Sequence, residues 1–280
     1  MIKLEYLAPP HDLRHYISAY YLFETDEPLF EDVERADIAQ LRAFLAGYGE
    51  IAYGSGAPTK SHTVSLFGPR TASASVKLWG PVKLFGFGLL PAGWAAITKK
   101  SAEKFVHQLV DARDVFGPYV DTLFAKISAC TTLRDMAQVI TDSARFYEAQ
   151  AHPVPHWFVR TVDEWLESRL SPDIVDLEQK TGLSRRQIER MTKQLYGAAP
   201  KLLQRKYRAL RTASAIANGK GAWQDFIDDA YYDQSHCIRE LKEFVGITPN
   251  AIRDHQSRLA QLTFGRRQLA GDVAPLSAQT

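Results

Sequence analysis

The feature that most constrains this chain is an internal repeat. Arg190-x-x-Lys193-x-x-x-Gly197-x-x-Pro200 recurs as Arg239-x-x-Lys242-x-x-x-Gly246-x-x-Pro249, 49 residues later. A spacing that returns at one fixed offset marks two copies of a single supersecondary unit. Six residues before each Arg stands a residue suited to cap a helix, Ser184 in the first copy and Asp233 in the second, so both helices begin at the same phase. Ser184 with Gln187 makes a capping box, in which the hydroxyl and the amide each satisfy an unpaired backbone donor of the first turn.

Just upstream of the first copy, Ser171-Pro172-Asp173 reads as an N-cap followed by proline at the first helical position, and Gly182 ends the short helix that follows. Helix, tight Gly-Leu-Ser turn and second helix form a helix-turn-helix, whose second helix enters the major groove of DNA. On a helical wheel Ile188, Met191 and Leu195 share one face, while Arg186, Arg190 and Lys193 lie opposite with Glu189 beside them. The second copy places Cys237, Leu241 and Phe244 on one side and Ser235, Arg239 and Lys242 on the other.

These residue types suit DNA. Arg pairs bidentately with guanine, Gln with adenine, and Glu accepts from cytosine. The formal net charge of +2 conceals a strong local bias: residues 180–220 carry eleven Lys and Arg against one acid, Glu189. Such a run attracts phosphate, whereas a merely solvated surface mixes both signs. Arg205, Lys206, Arg208 and Arg211 fall on the helix joining the copies, where the expectation is phosphate contact that positions the protein without reading sequence.

The first 120 residues read as strands separated by turns, at 16–24, 36–45, 50–54, 62–68, 73–80 and 82–90, with a turn at 91–97. Short strands at this spacing suggest a sandwich or barrel. The pattern is helical over 104–109 and 119–147, and Pro153 with Pro155 marks a linker. The expected organisation is an α+β multidomain chain. A β-rich, cupin-like or sandwich domain (1–120), a helical connector (121–156), an all-α domain with two helix-turn-helix units (157–258) and a mobile tail (259–280) follow one another.

Other classes lack their signatures. No apolar run reaches the 18 or more residues of a membrane span, and the opening MIKLEYLAPP has no secretory pattern, so a cytoplasmic protein is expected. Cys130 and Cys237 have no metal or disulfide spacing and read as free thiols. His11, His15, His62 and His107 include no His-x-His pair of the kind a cupin-like metalloenzyme would need. No P-loop, Gly-x-Ser-x-Gly or Rossmann fingerprint is present, so neither catalytic residues, metal nor cofactor are expected. Tyr20, Tyr21, Phe23, Phe67, Trp79, Phe85, Phe87 and Trp94 either line a pocket or build an aromatic core. The core is the simpler reading, and it designates no ligand residues.

At GLSRRQIERMTKQLYGAAP and YYDQSHCIRELKEFVGITPNAIR the sequence resembles the AraC-type transcriptional regulators, over roughly residues 157–255. The resemblance implies two recognition helices in successive major-groove segments. It implies base-facing positions at Arg185, Arg186, Glu189 and Arg190 in the first unit and at Gln234, Ser235, His236 and Arg239 in the second. Double-stranded DNA is the implied partner, with a small-molecule effector, a second copy and RNA polymerase as further ones. The first domain is similar to the sensor-like β domains that precede such modules, LLPAGWAAI resembling a motif of one subfamily. The chain departs from the family pattern at Thr192, Cys237 and Leu241, where a larger apolar residue is usual. Ala230 replaces a turn glycine, and Asp225, Asp228 and Asp229 make the preceding helix acidic. The first unit is therefore expected to supply most of the sequence reading. The competing expectation is a protein-interaction module with degenerate DNA binding.

Overall fold

A computed structural model describes residues 2–148, 154–219 and 230–279. Pro153, Lys220 and the three aspartates of the acidic helix lie outside them. The β-rich half comprises β1 (Ile2–Leu7), β2 (Ile17–Thr25), β3 (Leu29–Glu34), β4 (Ala39–Ala52), β5 (Thr59–Lys60), β6 (Val64–Phe67), β7 (Ala74–Leu89) and β8 (Leu109–Asp111). They form one antiparallel sheet with the path β1-β2-β7-β4-β6-β8; β3 adds to β7 and β5 to β4. The two stretches expected as separate strands at 73–80 and 82–90 are one strand, β7, running through a cis Gly80–Pro81 peptide. Strand β4 follows it along its length and bulges between Phe44, Ala46 and Tyr48, where the local twist increases.

Alternation along the strands gives the sheet two different faces. One collects Tyr21, Phe23, Phe30, Phe44, Val82 and Leu84 around an aromatic core. The other presents Ile17, Tyr20, Leu22, Phe85, Phe87 and Leu89 to helices. Residues 91–97, expected as a turn, form helix α1 (Pro91–Thr98), because proline at its first position leaves no backbone donor unpaired there. A four-residue helix α2 (Arg113–Phe116) leads into α3 (Tyr119–Ser128) and α4 (Leu133–Glu148). Leu133, Met136, Ala137 and Ile140 recur at helical spacing and are buried against the sheet. Residues 127–140, within the stretch expected as a connector, thus contribute to the core beneath the sheet.

The helical half comprises α5 (His156–Ser168), α6 (Ile174–Thr181), α7 (Arg185–Tyr196), α8 (Pro200–Ala217), α9 (Gln234–Phe244) and α10 (Pro249–Arg253). Its core gathers Phe158, Val162, Trp165, Leu177, Ile188, Leu210, Leu241 and Phe244. This half sits against the loops at 35–38 and 68–73 of the first. Ala36 N–H donates to Phe244 O at 2.7 Å and Ser73 N–H to Glu243 O at 2.8 Å.

The chain after residue 258 is not the loose tail that its weak periodicity suggests. Helix α11 (Arg258–Phe264) returns to the sheet domain. Arg258 meets Glu27 at 2.6 Å and lies over the Phe30 ring. Leu259 N–H donates to Asp32 at 2.8 Å, and Leu259 and Leu262 pack on the aromatic core. Leu276 then ends buried in the core of the helical half.

Candidate nucleic-acid interface

The two repeat copies fold alike. Helix α6 stops at Gly182, in the left-handed conformation, and α7 begins after Ser184, whose side chain accepts from Gln187 N–H while Gln187 reaches back to the Ser184 N–H. Helix α9 begins after Asp233, which accepts from His236 N–H at 2.7 Å. The closing glycines Gly197 and Gly246 have φ of +80° and +86°, and Pro200 and Pro249 open α8 and α10. One detail differs from expectation: Asp173, not Ser171, caps α6. Its carboxylate accepts from Val175 N–H, leaving the Ser171 hydroxyl to accept from Gln204 and Arg208.

The wheel separates the faces as the sequence indicates. Ile188 and Leu195 are buried, as are Cys237, Leu241 and Phe244, whereas Met191 is half-buried and Thr192 takes the fully buried place beside it. Arg185, Arg186 and Arg190 are exposed on α7, and Gln234, Ser235, Arg239 and Lys242 on α9. Arg186, Arg190, Arg239 and Lys242 have no acidic partner within 4 Å among the described residues. Arg185 pairs with Glu178 at 2.9 Å. Glu189 pairs with Lys193 at 2.9 Å, one turn along the helix, and Lys193 also lies 3.9 Å from Glu103 of the first domain.

Three expected contact residues are committed elsewhere. Lys206 is only 3% exposed; its ammonium donates to the Asp37 carbonyl at 2.8 Å, inside the contact between the two halves. Burial pushes this amine down to about 7 against the pull of Asp37, so it is not a surface cation awaiting phosphate. Arg205 is held by Glu240 at 2.8 Å and Glu243 at 2.6 Å, across the Phe244 ring. His236 uses both ring nitrogens: Nδ1 faces the Tyr232 N–H at 3.3 Å and Nε2 faces Glu240 at 3.2 Å. The 49-residue phase accounts for this, since it aligns His236 with Gln187, a capping position, and not with Glu189.

Arg208 and Arg211 are likewise internal. Arg208 forks onto Glu240 at 2.7 and 2.9 Å, and Arg211 donates to the carbonyls of Leu166 and Arg169. The basic run is thus shared between two tasks. Lys180, Arg185, Arg186, Arg190 and Lys201 remain exposed, while Arg205, Arg208 and Arg211 of α8 hold the helices together and Lys206 ties α8 to the first domain.

Glu240 is the residue that motif reading passes over. It is 1% exposed and gathers Arg205, Arg208 and His236. Burial alone would raise its pKa, but hydrogen bonds from Arg208 and Arg205 hold it below the usual carboxylate value. In the repeat it stands where the first copy has Met191, so a carboxylate at an otherwise apolar position is the signal that could have found it.

A second buried polar network joins the halves. Glu34 accepts from Arg42 and, at 3.0 Å, from Arg70. Asp37 lies 3.5 Å from Arg70 and 3.6 Å from Arg266. Burial would raise the Asp37 carboxyl, yet Arg266, Arg70, Arg35 and Lys206 hold it down at about 2. Among the described residues no group of three or more His, Cys, Asp or Glu is placed to hold a metal ion.

Comparison with known proteins adds the following. Residues 5–111 match a family described as a domain of unknown function, DUF6597. No curated protein matches the chain. Its structural neighbours include AraC-family regulators. An apo variant of ToxT from Vibrio cholerae is 9% identical with a TM-score of 0.44, over 82% of this chain and 98% of the other. ToxT bound to a methylnaphthalenyl butenoic acid is 8% identical with a TM-score of 0.45, over 84% and 100%. CuxR, an AraC-like transcriptional activator, is 11% identical with a TM-score of 0.33, over 76% and 82%.

Proposed function

We propose that this protein is a sequence-specific, DNA-binding transcriptional regulator of AraC type that reads double-stranded DNA with α7 and α9. The observation that carries the reading is the pair of helices in one repeat phase. Each is capped by a side chain, closed by Gly-x-x-Pro, and exposes cations on the face opposite the core. Arg186 and Arg190 are the base-reading residues of the first unit, with Arg185 and Glu189 flanking them. Gln234, Ser235 and Arg239 serve the second, and Lys193, Lys242 and Lys201 meet phosphate. The first unit supplies most of the sequence discrimination. The β domain contributes control by a small molecule and, with a second copy, pairing of two reading heads. Action as an activator through RNA polymerase, in the cytoplasm, completes the proposal. No helix among the described residues is long and apolar enough to cross a membrane.

The test is binding to promoter fragments from the protein's own genomic neighbourhood, across a salt series. Affinity is expected to fall steeply with salt. Arg186→Ala and Arg190→Ala are each expected to lose about 1–3 kcal/mol at particular base pairs, while Lys201→Ala weakens all sequences alike. Equal affinity for every sequence at all salts would refute the reading. The internal use of Arg205, Lys206, Arg208 and Arg211 favours one alternative, an interaction module with little DNA affinity. That alternative predicts no measurable DNA complex even at low salt.

A further inference from the structure

The two faces of the sheet enclose two different spaces. On the aromatic-core side, a chamber of about 60 Å³ is lined by Arg42, Glu34, Asp37 and Gln40, and Leu259, Thr263 and Arg266 of the returning C-terminal segment help to line it. On the opposite side, between the sheet and α1, α3 and α4, lies a cavity of about 120 Å³. Its walls are Ile17, Phe85, Phe87 and Leu89 from the strands and Ala96, Ile97, Leu123, Phe124, Ile140 and Ala144 from the helices. Most of these side chains are buried.

This second cavity offers no charge to an occupant. Arg42 touches it, but its guanidinium belongs to the other face of β4, bonded to Glu34 and Tyr21. The hydroxyls at its edge are engaged: Tyr16 with His156 at 3.2 Å, and Tyr119 with Ser143 at 3.1 Å, across α3 and α4. Of the residues lining the cavity, Tyr119 is exposed. An apolar void of roughly 150 Å³ stays dry and takes a ring the size of benzene, since water there would lack polar partners.

Helix α1 is the wall that this cavity shares with the helical half. Gly93, Ala96 and Ile97 line the cavity, while Ala92 and Ala95 pack into the core that holds Phe158, Leu195 and Tyr196. Pro91 and Trp94 share a small void with Leu195 and Tyr196 at the end of α7. Half of the helix is alanine and glycine, and it is pressed so closely on its neighbours that a Cβ on Gly93 would meet the Tyr16 carbonyl at 2.1 Å.

We propose that the cavity between the sheet and α1, α3 and α4 binds a small, uncharged, apolar molecule such as an alkyl-substituted aromatic ring, and that α1 transmits its occupancy to α7. The coupling rests on the DNA-binding reading; the occupancy does not. A ligand seated against Gly93, Ala96 and Ile97 bears on α1, whose other side packs toward Leu195 and Tyr196. It shifts the equilibrium only by its difference in affinity for two arrangements of that wall. Linkage then requires DNA to change the ligand's affinity by the same factor that the ligand changes DNA's.

The test uses the full chain with two uncharged single-ring probes, toluene followed by thermal shift and p-xylene followed by titration calorimetry. Wild type is expected to bind at one saturable site and to melt at higher temperature with toluene. Ala144→Phe and Ala96→Leu fill the space from two different walls. Where they keep a cooperative melting transition, they are expected to bind at least about tenfold more weakly. Absence of saturable binding of both probes to wild type, or wild-type affinity in both folded variants, overturns the site. With promoter DNA present, saturating probe is expected to change DNA affinity by about threefold or more in wild type and not in the filled variants. An unchanged DNA affinity overturns the coupling, whereas failure to bind any DNA defeats the regulatory reading and leaves the site to be judged by the probes alone.

Discussion

At the scale of single residues, the same side-chain type serves opposite ends according to burial. Arg190 and Arg208 belong to one basic stretch, yet Arg190 is solvent-facing and Arg208 lies locked onto Glu240. Removing one partner of a buried pair leaves the other charge uncompensated. Glu240→Gln is therefore expected to destabilise the helical half by about 3 kcal/mol, read as a lower denaturant midpoint with an unchanged slope. A loss below about 0.5 kcal/mol would mean that Glu240 is not the joint between α8 and α9.

Asp163 gives a pH-dependent prediction. Burial pushes its carboxyl up to about 7; the hydrogen bond from Tyr196 opposes the rise, and Glu167 and Glu164 add to it. The folded state then holds a proton that the unfolded state releases near pH 4, so stability falls as pH rises from about 4 to about 7. Asp163→Asn is expected to flatten that fall. Its stability relative to wild type should increase with pH, by on the order of 1–3 kcal/mol at neutrality. Parallel stability curves for the two proteins would count against this assignment.

At the scale of elements, the helices were the most legible part of the sequence, because their caps are local. Ser184 with Gln187, Asp233, Gly197 and Gly246 all do what side-chain chemistry and backbone freedom require of them. The three-dimensional use of those glycines was not legible. A Cβ on Gly197 would meet Val106 at 2.8 Å, and one on Gly246 would meet Val33 at 2.2 Å. Both closing turns of the repeat abut the first domain. Gly182 has the same left-handed backbone, φ +66°, with nothing within 4 Å. Gly182→Ala is expected to cost about 1 kcal/mol, the strain alone, and Gly246→Ala distinctly more. Equal losses in thermal unfolding would show that the contact with the first domain contributes nothing.

Strand limits were harder to read, since a strand's neighbours are remote in sequence. The sequence divides both β4 and β7 in two, β7 at Gly80–Pro81, although the two strands pair on both sides of that break. β1, β3, β5 and β8 carry no readable strand signal; the exposed Leu29 and Glu31 of β3, for instance, give no clean apolar alternation. The fate of Lys206 and Arg205 was equally hidden, because a basic run shows how much charge there is and not which acids will meet it. Only the fold brings Asp37 and Glu240 to α8.

At the scale of the whole molecule, the two halves are tied by more than their linker. Lys206 meets Asp37, Ala36 and Ser73 bond the end of α9, and the segment from Arg258 crosses back to cover the aromatic core before Leu276 returns to the helices. Periodicity gives no hint of this last strap, since its anchors are few: Leu259, Leu262 and Leu276, with the arginines Arg258 and Arg266. They suffice because each finds a prepared partner. Arg266 is 4% exposed, lies by Asp37 and sits over the Tyr6 ring at 5.4 Å. Ending the chain after Gln256 would uncover Phe30 and the chamber beside it and take one cation from Asp37. The shortened protein is expected to melt at lower temperature and to show a larger radius of gyration in solution scattering, as the halves separate. Leu259→Asp should reproduce much of that effect, because it places a charge against Phe30 and the Asp32 carboxylate. If both variants keep the wild-type melting temperature and radius, the strap does not hold the halves together, and the Lys206 and α9 contacts alone must do so.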